Sequence, residues 1–175
     1  TFNDGGDTSE TYGFSVPRAR LILSGSVYDW DYKVSGQWSE GGDFDLKDAY
    51  ASTDFDGLGF KVGQFKTPFM KEVLVNRVDI LGIERSIISN NFGQGRSQGV
   101  QFSHDFGPVT GKVAYSDGFY SANGNSVPNS YAATGRLDWQ ATDWLNLGAA
   151  VSHNEDVERY WTWTVDGGMV FGDLT

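Results

Sequence analysis

The feature that most constrains the fold is an unbroken two-residue alternation from Tyr28 to Trp38. One side of this segment is apolar or aromatic and the other is polar. The apolar side carries Tyr28, Trp30, Tyr32, Val34, Gly36 and Trp38. The polar side carries Asp29, Asp31, Lys33, Ser35 and Gln37. Successive side chains of a strand point to opposite faces, so the pattern predicts a β-strand between an apolar medium and water.

The same alternation recurs along the chain and predicts about nine strands. In the first of them, Ala19, Leu21 and Leu23 oppose Arg18, Arg20 and Ser24, and Ile22 is an exception. Comparable segments lie near residues 100–106, 109–116, 133–139, 145–152 and 161–166. Residues 44–53 and 58–66 also have strand character, but their alternation does not decide which side faces which medium. The only helical character falls in one long loop.

The connections between these segments differ in length. The expected short ones lie near residues 25–28, 55–57, 105–108 and 141–143, and the expected longer ones near 39–43, 67–98, 117–130 and 154–159. Short turns on one side and longer loops on the other are typical of up-and-down membrane β-barrels. Aromatic residues near strand ends fit the interfacial girdles of such barrels; they are Trp30, Trp38, Trp139, Trp144 and Trp161.

Composition supports this class and excludes several others. Aromatic residues make up 15% of the chain, yet mean hydropathy is −0.38, and no apolar run approaches the roughly 20 residues of a membrane-spanning helix. The formal net charge of −10 argues against a nucleic-acid partner. There is no cysteine, so neither a disulfide nor a thiolate metal site is expected.

No constellation of catalytic or metal-binding residues is recognisable. The two histidines, His104 and His153, lack zinc-site spacing, and no nucleophile elbow or phosphate-binding loop is present. The acidic stretches 4–7 and 41–43 lack the ligand spacing of a calcium loop and are expected to be solvated outer loops. We therefore predict no enzyme activity, no catalytic residues, no metal and no cofactor.

The segment 67–98 breaks the alternation and is far longer than an ordinary hairpin loop. In a barrel, a loop of this length with apolar and charged residues is expected to fold into the lumen. Its apolar residues would pack on the inner wall and its charges would face the water path, forming a constriction loop.

Four stretches of the chain resemble the phosphate-selective porin O and P family. They are Pro17-Arg18-Ala19-Arg20-Leu21 with Gly25; Leu46-Lys47-Asp48-Ala49-Tyr50; Val62 to Phe69 with Glu72 and Glu84-Arg85; and Gly95 to Gln101 followed by Tyr115-Ser116-Asp117-Gly118. They occur in family order between about residues 14 and 118, with a weaker match through Gly135-Arg136-Leu137.

The resemblance implies an antiparallel up-and-down transmembrane β-barrel of about sixteen strands, usually trimeric, with an inward-folded third loop. It implies a location in the outer membrane of a Gram-negative-type bacterium, with outer-membrane lipid and small solutes or inorganic ions as partners. Nine strands are fewer than this barrel needs, so we expect residues 1–175 to be a single porin domain that is a fragment of a longer barrel.

The chain also departs from the pattern of the family's selective members, which line the pore with an arginine ladder and place lysines at the constriction. Pro17 stands where the first arginine of a pair is expected. Aspartates fall at lumen positions of the predicted strands; they are Asp29, Asp31, Asp45, Asp48 and Asp138. Phosphate selectivity therefore does not follow from the resemblance alone, although net charge is a poor guide to the local field in a pore.

Ten charged residues are candidates for lining the pore or its constriction. They are Arg18, Arg20, Lys33, Lys66, Lys71, Arg77, Arg85, Arg96, Asp29 and Asp31. Arg18 and Arg20 share the polar side of one strand and would either attract anions or pair with acids and brace the wall. Loop charges would either line the constriction or anchor the loop, and the family pattern favours anchoring for Glu84 and Arg85.

The predicted function is passive diffusion of small hydrophilic solutes or ions, with anions such as phosphate among the candidates. The alternative is a soluble, aromatic-rich β-sandwich that binds carbohydrate by stacking sugars on exposed rings. The two differ in where the aromatic side chains lie: on a belt around the outside of a barrel, or in a single groove.

Overall fold

A computed structural model describes residues 18–39, 42–75, 86–119, 121–122, 130–155 and 159–169. These residues form one sheet of nine antiparallel strands in sequence order. The strands are β1 (Arg18–Val27), β2 (Trp30–Ser39), β3 (Phe44–Phe55), β4 (Leu58–Lys66), β5 (Arg96–Phe106), β6 (Val109–Ser116), β7 (Tyr131–Gln140), β8 (Leu145–Glu155) and β9 (Arg159–Met169). The predicted all-β, up-and-down antiparallel architecture is confirmed. Within the described ranges, no second sheet packs on the first, as a sandwich would require.

The connections at one end of the sheet are short, as expected. Three have two residues, and the turn between β7 and β8 has four. The first turn, however, consists of Tyr28 and Asp29, so β2 begins at Trp30 and not at Tyr28 as the alternation indicated. Tyr28 adopts a φ of 53°, and Asp56-Gly57 adopts φ of 54° and 83°. Such positive φ values match the tight hairpin turns that fit strand twist.

The other end of the sheet carries the long connections, but only two of its four are long. Strand pairing includes Ser39 of the predicted loop 39–43 and Asn154, Glu155 and Arg159 of the predicted loop 154–159, so these connections are residues 40–43 and 156–158. The two long connections lie between β4 and β5 and between β6 and β7.

Two local irregularities explain why residues 44–66 show no clear alternation. Ser35 pairs with Asp48 but Gly36 pairs with Leu46, which leaves Lys47 as an extra residue in a β-bulge. The side-chain amide of Gln64 donates to the carbonyl groups of Leu46 and Lys47 at 2.8 and 3.0 Å. Beyond the bulge, the side chains of β3 alternate with the opposite facing. Gln64 lies at an apolar-side position of β4, but its polar side chain is bonded to the backbone of the bulge.

The two faces of the sheet have opposite chemistry, and the apolar face is the exposed one. Trp163 and Val165 are 77% and 71% exposed, and large apolar side chains of every strand share that face. The buried residues of the opposite face are mainly polar, among them Ser35, Asp48 and Arg136. Soluble proteins bury apolar residues and expose polar ones, so this arrangement fits a wall with lipid outside and water inside.

Aromatic side chains form two belts on the apolar face, one near each end of the strands. Trp30 packs edge-on against Phe60 near the short turns. Near the long loops, the ring centroids of Trp38 and Phe44 are 4.9 Å apart. Trp30 and Trp38 are eight residues apart, which is about 26 Å along a strand and about 20 Å across the membrane at a tilt of about 40°. That spacing is close to the height of about 25 Å of a barrel's apolar band.

The connection between β4 and β5 contains two short helices, α1 (Lys71–Leu74) and α2 (Ile87–Phe92). Its described residues contact the polar face, where Phe65, Phe69 and Val73 are buried. Within the described residues, no helix has the length and apolar character needed to cross a membrane.

Candidate functional site

The polar face curves around a cavity that gathers residues from six strands. The cavity has a volume of about 240 Å³, and its lining includes Arg20 of β1, Lys61 of β4 and Lys112 of β6. Six strands at about 4.8 Å spacing would span about 24 Å in a flat sheet, so residues of β1 and β6 meet only because the sheet curls. Lys66, at the end of β4, and the loop residues Pro68 and Leu74 line one side of the cavity.

The charged residues of the cavity wall are unequal in sign. Among the described residues, five are cationic and one is acidic; they are Arg20, Lys33, Lys61, Lys66 and Lys112, with Asp48. Their strands bring them together although they are far apart in sequence. The local field at this point is therefore positive, in spite of the chain's net charge of −10.

Asp48 is the hub of the cavity's ion pairs. Its carboxylate accepts from Arg96 Nε and Nη2 at 2.8 and 3.2 Å and from Ser35 Oγ at 2.9 Å, and Lys33 Nζ lies 4.0 Å away. The acid is buried and the bidentate arginine holds it in one orientation. Arg96 therefore neutralises the charge of Asp48 at the wall.

Lys61 is held differently, by aromatic rings. Its Nζ lies 4.7 Å from the centroid of the Tyr50 ring and 5.7 Å from that of Phe65. Among the described residues, the Lys61 ammonium makes no hydrogen bond and no ion pair. Cation–π contact fixes its position, and Asp48 acts on its charge from a distance and not through an ion pair.

A second cluster anchors the β4–β5 connection to the far wall. Arg136 of β7 is 2% exposed, bridges Asp138 and Asp166 with contacts of 2.7 to 3.0 Å, and donates to the carbonyl oxygen of Phe69. The backbone N–H of Lys71 donates to Asp166 at 3.1 Å. The loop is therefore bonded directly to β7 and β9 across the polar face.

Three further contacts fix the described parts of the loop. Lys66 Nζ donates to the carbonyls of Leu74 and Val75 at 3.0 and 3.1 Å, where helix α1 ends. Glu72 accepts from the backbone N–H of Ser86 at 2.6 Å and so joins the beginning of α2 to α1. Lys71 Nζ also contacts Asn146 of β8.

The ten predicted lining residues lie at the cavities, near the strand ends, or outside the described residues. Arg20, Lys33 and Lys66 line the cavity, Arg96 compensates Asp48 behind it, and Lys71 lines a neighbouring cavity of about 550 Å³. Arg18 and Asp31 lie on the polar face nearer the strand ends, and Asp29 lies in the first turn and not on a strand. Arg77 and Arg85, together with the expected anchor Glu84, fall outside the described residues.

Sequence reasoning missed Lys61, Lys112 and Arg136 as members of the site. Lys112 and Arg136 lie in segments with regular alternation, and Asp138 is two residues from Arg136 on the same strand, but nothing local indicated the partners that come from other strands. Lys61 lies in the segment of unclear alternation, so its facing was undecided. Within the described part of the chain, no three His, Asp or Glu side chains are grouped to hold a metal ion.

Comparison with known proteins gives one match. The family model for phosphate-selective porin O and P matches residues 2–162. No curated protein and no solved structure matches the chain.

Proposed function

Because this chain belongs to the phosphate-selective porin O and P family, we propose that it passes small hydrophilic anions by passive diffusion. The family consists of outer-membrane channels and is not a class of enzymes. Membership therefore gives the outer membrane as the location and solute or ion passage as the activity. The preference for anions is the part that we add.

The observation that carries the proposal is the excess of cations at the cavity. Within the part of the chain that the structure describes, five lysine and arginine side chains line it against one acid, Asp48. Charged side chains at a narrow point of a pore set its ion preference, because ions lose part of their hydration there and interact at short range. Of the other wall aspartates, Asp138 is already paired with Lys112 and Arg136, and Asp31 and Asp45 do not line the cavity.

We further propose that residues 67–98 act as the constriction loop of a single porin domain spanning residues 1–175. The hydrogen bonds from Arg136 to Phe69 and from Lys71 to Asp166 favour this role, because they hold the loop across the polar face. We propose a homotrimer in contact with outer-membrane lipid as the assembly. The remaining predicted lining residues, Arg18, Arg77, Arg85, Asp29 and Asp31, are proposed to contribute to the field of the pore.

The test is the reversal potential of single channels of the full-length protein in a planar bilayer under a KCl gradient. We expect a reversal potential on the chloride side and a decrease in current when phosphate is added. A potential on the potassium side would contradict the anion preference while leaving the channel assignment intact.

A further inference from the structure

We infer that Lys61 and Tyr50, together with Ile22 and Leu74, form a binding site for organic monoanions with an apolar body. The inference rests on the proposed anion channel and names the solute class that its cavity retains best. The probe class is a carboxylate attached to a small ring or short hydrocarbon, as opposed to inorganic phosphate.

Lys61 differs from the other four lining cations in having no polar partner among the described residues. Lys33 lies near Asp48, Lys112 donates to Asp138 at 3.2 Å, and Lys66 donates to backbone carbonyls. Arg20 donates to the amide oxygen of Gln37 at 2.9 Å. Lys61, by contrast, has only aromatic contacts within the described residues, so it offers one full charge to a solute.

The apolar part of the site comes from a break in the alternation. Ile22 occupies a polar-face position of β1 and is 51% exposed, although its neighbours on that face are Arg20 and Ser24. Leu74, at the end of helix α1, lines the same cavity. A solute that covered Ile22 and Leu74 would remove apolar surface from water, which stabilises binding in proportion to the area covered.

Two arginines near the cavity are not open to a bidentate contact with phosphate. Tight oxyanion sites use several convergent donors, often the bidentate guanidinium of arginine. Arg96 and Arg136 lie close by, but their guanidinium groups are bound to Asp48 and to the pair Asp138 and Asp166. Lys61 beside the apolar side chains of Ile22 and Leu74 therefore favours a carboxylate with a partly apolar body.

The experiment compares block of the chloride current by benzoate, acetate and phosphate in planar bilayers. We expect benzoate to halve the current at a concentration about fivefold lower than either of the others. Lys61→Gln should raise the half-blocking concentrations of benzoate and acetate about fivefold, because it removes the free charge. Ile22→Ser should weaken block by benzoate about threefold and leave block by acetate unchanged, because it removes only apolar contact.

The matched control is Lys47→Gln, which removes a lysine that is paired with Asp45 and does not line the cavity. Its block by benzoate should equal that of the unmodified channel. If the reversal potential is on the chloride side but benzoate blocks no better than acetate or phosphate, this inference is wrong and the proposed anion preference stands. A potassium-sided potential would overturn the proposed anion preference and the inference with it.

Discussion

At the scale of single residues, Asp48 has the largest influence on the field of the cavity. It is the one acid among the lining residues and it compensates two cations, Arg96 and Lys33. Two unit charges about 5 Å apart in a water-like medium interact by just under 1 kcal/mol. Removing the negative charge should therefore change ion preference several-fold without changing the pore's shape.

We predict that Asp48→Asn increases the chloride-to-potassium permeability ratio about threefold. The substitution keeps the side-chain shape and the hydrogen bond with Ser35 while freeing the charges of Arg96 and Lys33. Reversal potentials measured under a KCl gradient check it. Asp45→Asn is the control, since Asp45 is paired with Lys47 and lies outside the cavity lining. An equal shift in both variants would contradict a special role for Asp48.

Gly63 shows how closely two strands approach beside the bulge. A Cβ built on Gly63 would lie 2.3 Å from the carbonyl oxygen of Ala49 and 2.8 Å from Tyr50 Cα, and its φ is 124°. Both contacts are with backbone, so no side chain can move aside. The site therefore requires glycine for steric and conformational reasons.

We predict that Gly63→Ala lowers the free energy of unfolding by about 2 kcal/mol or more. Gly111→Ala serves as the comparison, because its added Cβ would meet atoms only at 3.5 Å or beyond. That variant should stay within about 0.5 kcal/mol of the unmodified protein. Urea unfolding in detergent, followed by tryptophan fluorescence, measures both, and equal stability of the two variants would refute the close-approach explanation.

At the scale of elements, the connection between β4 and β5 depends on the wall that it crosses. Helices α1 and α2 have only four and six residues, too few to be stable in isolation. Their positions are fixed instead by the contacts of Arg136, Lys66 and Glu72. Such a loop keeps its place only while its buried charge cluster is intact.

We predict that Arg136→Met destabilises the protein by about 3 kcal/mol, because it leaves two half-buried acids without their shared, buried partner. The loop should also lose its bond at Phe69, so single-channel current should become noisier. Lys112→Gln removes a single, more exposed contact with Asp138 and should cost about 1 kcal/mol or less. Equal unfolding midpoints for the two variants would show that Arg136 is not the anchor.

The elements also show which parts of the fold could be predicted from the sequence. Strands with unbroken alternation, such as β2 and β8, were placed to within a few residues because each face meets one medium. Strands β3 and β4 were located, but their facing was not, because the extra residue Lys47 reverses the alternation. No local pattern announces a bulge whose partner amide, Gln64, comes from the next strand.

At the scale of the whole molecule, the distribution of polar and apolar side chains is the strongest support for a channel wall. One face exposes tryptophan, leucine and valine, and the other buries serine, threonine and charged residues. The sequence predicted this division because it is periodic. It did not predict the cavity, since that depends on curvature bringing Arg20 and Lys112 together from distant strands.

The central claim is that the polar face of this sheet meets water and the apolar face meets lipid. The absence of native cysteine makes single cysteine substitutions a direct probe of this claim. The most direct measurement is the rate of labelling by a charged, membrane-impermeant thiol reagent in lipid vesicles. The polar-face set is Ser24→Cys, Ser52→Cys and Ser103→Cys, and the apolar-face set is Ala51→Cys, Ala133→Cys and Ala149→Cys.

We predict rapid labelling of the polar-face set, accompanied by a drop in channel current, and little labelling of the apolar-face set. Ser52 and Ala51 are neighbours in β3, so their difference would report facing and not depth. Equal labelling of the two sets, or faster labelling of the alanine positions, would contradict the account of this sheet as the wall of a water-filled pore.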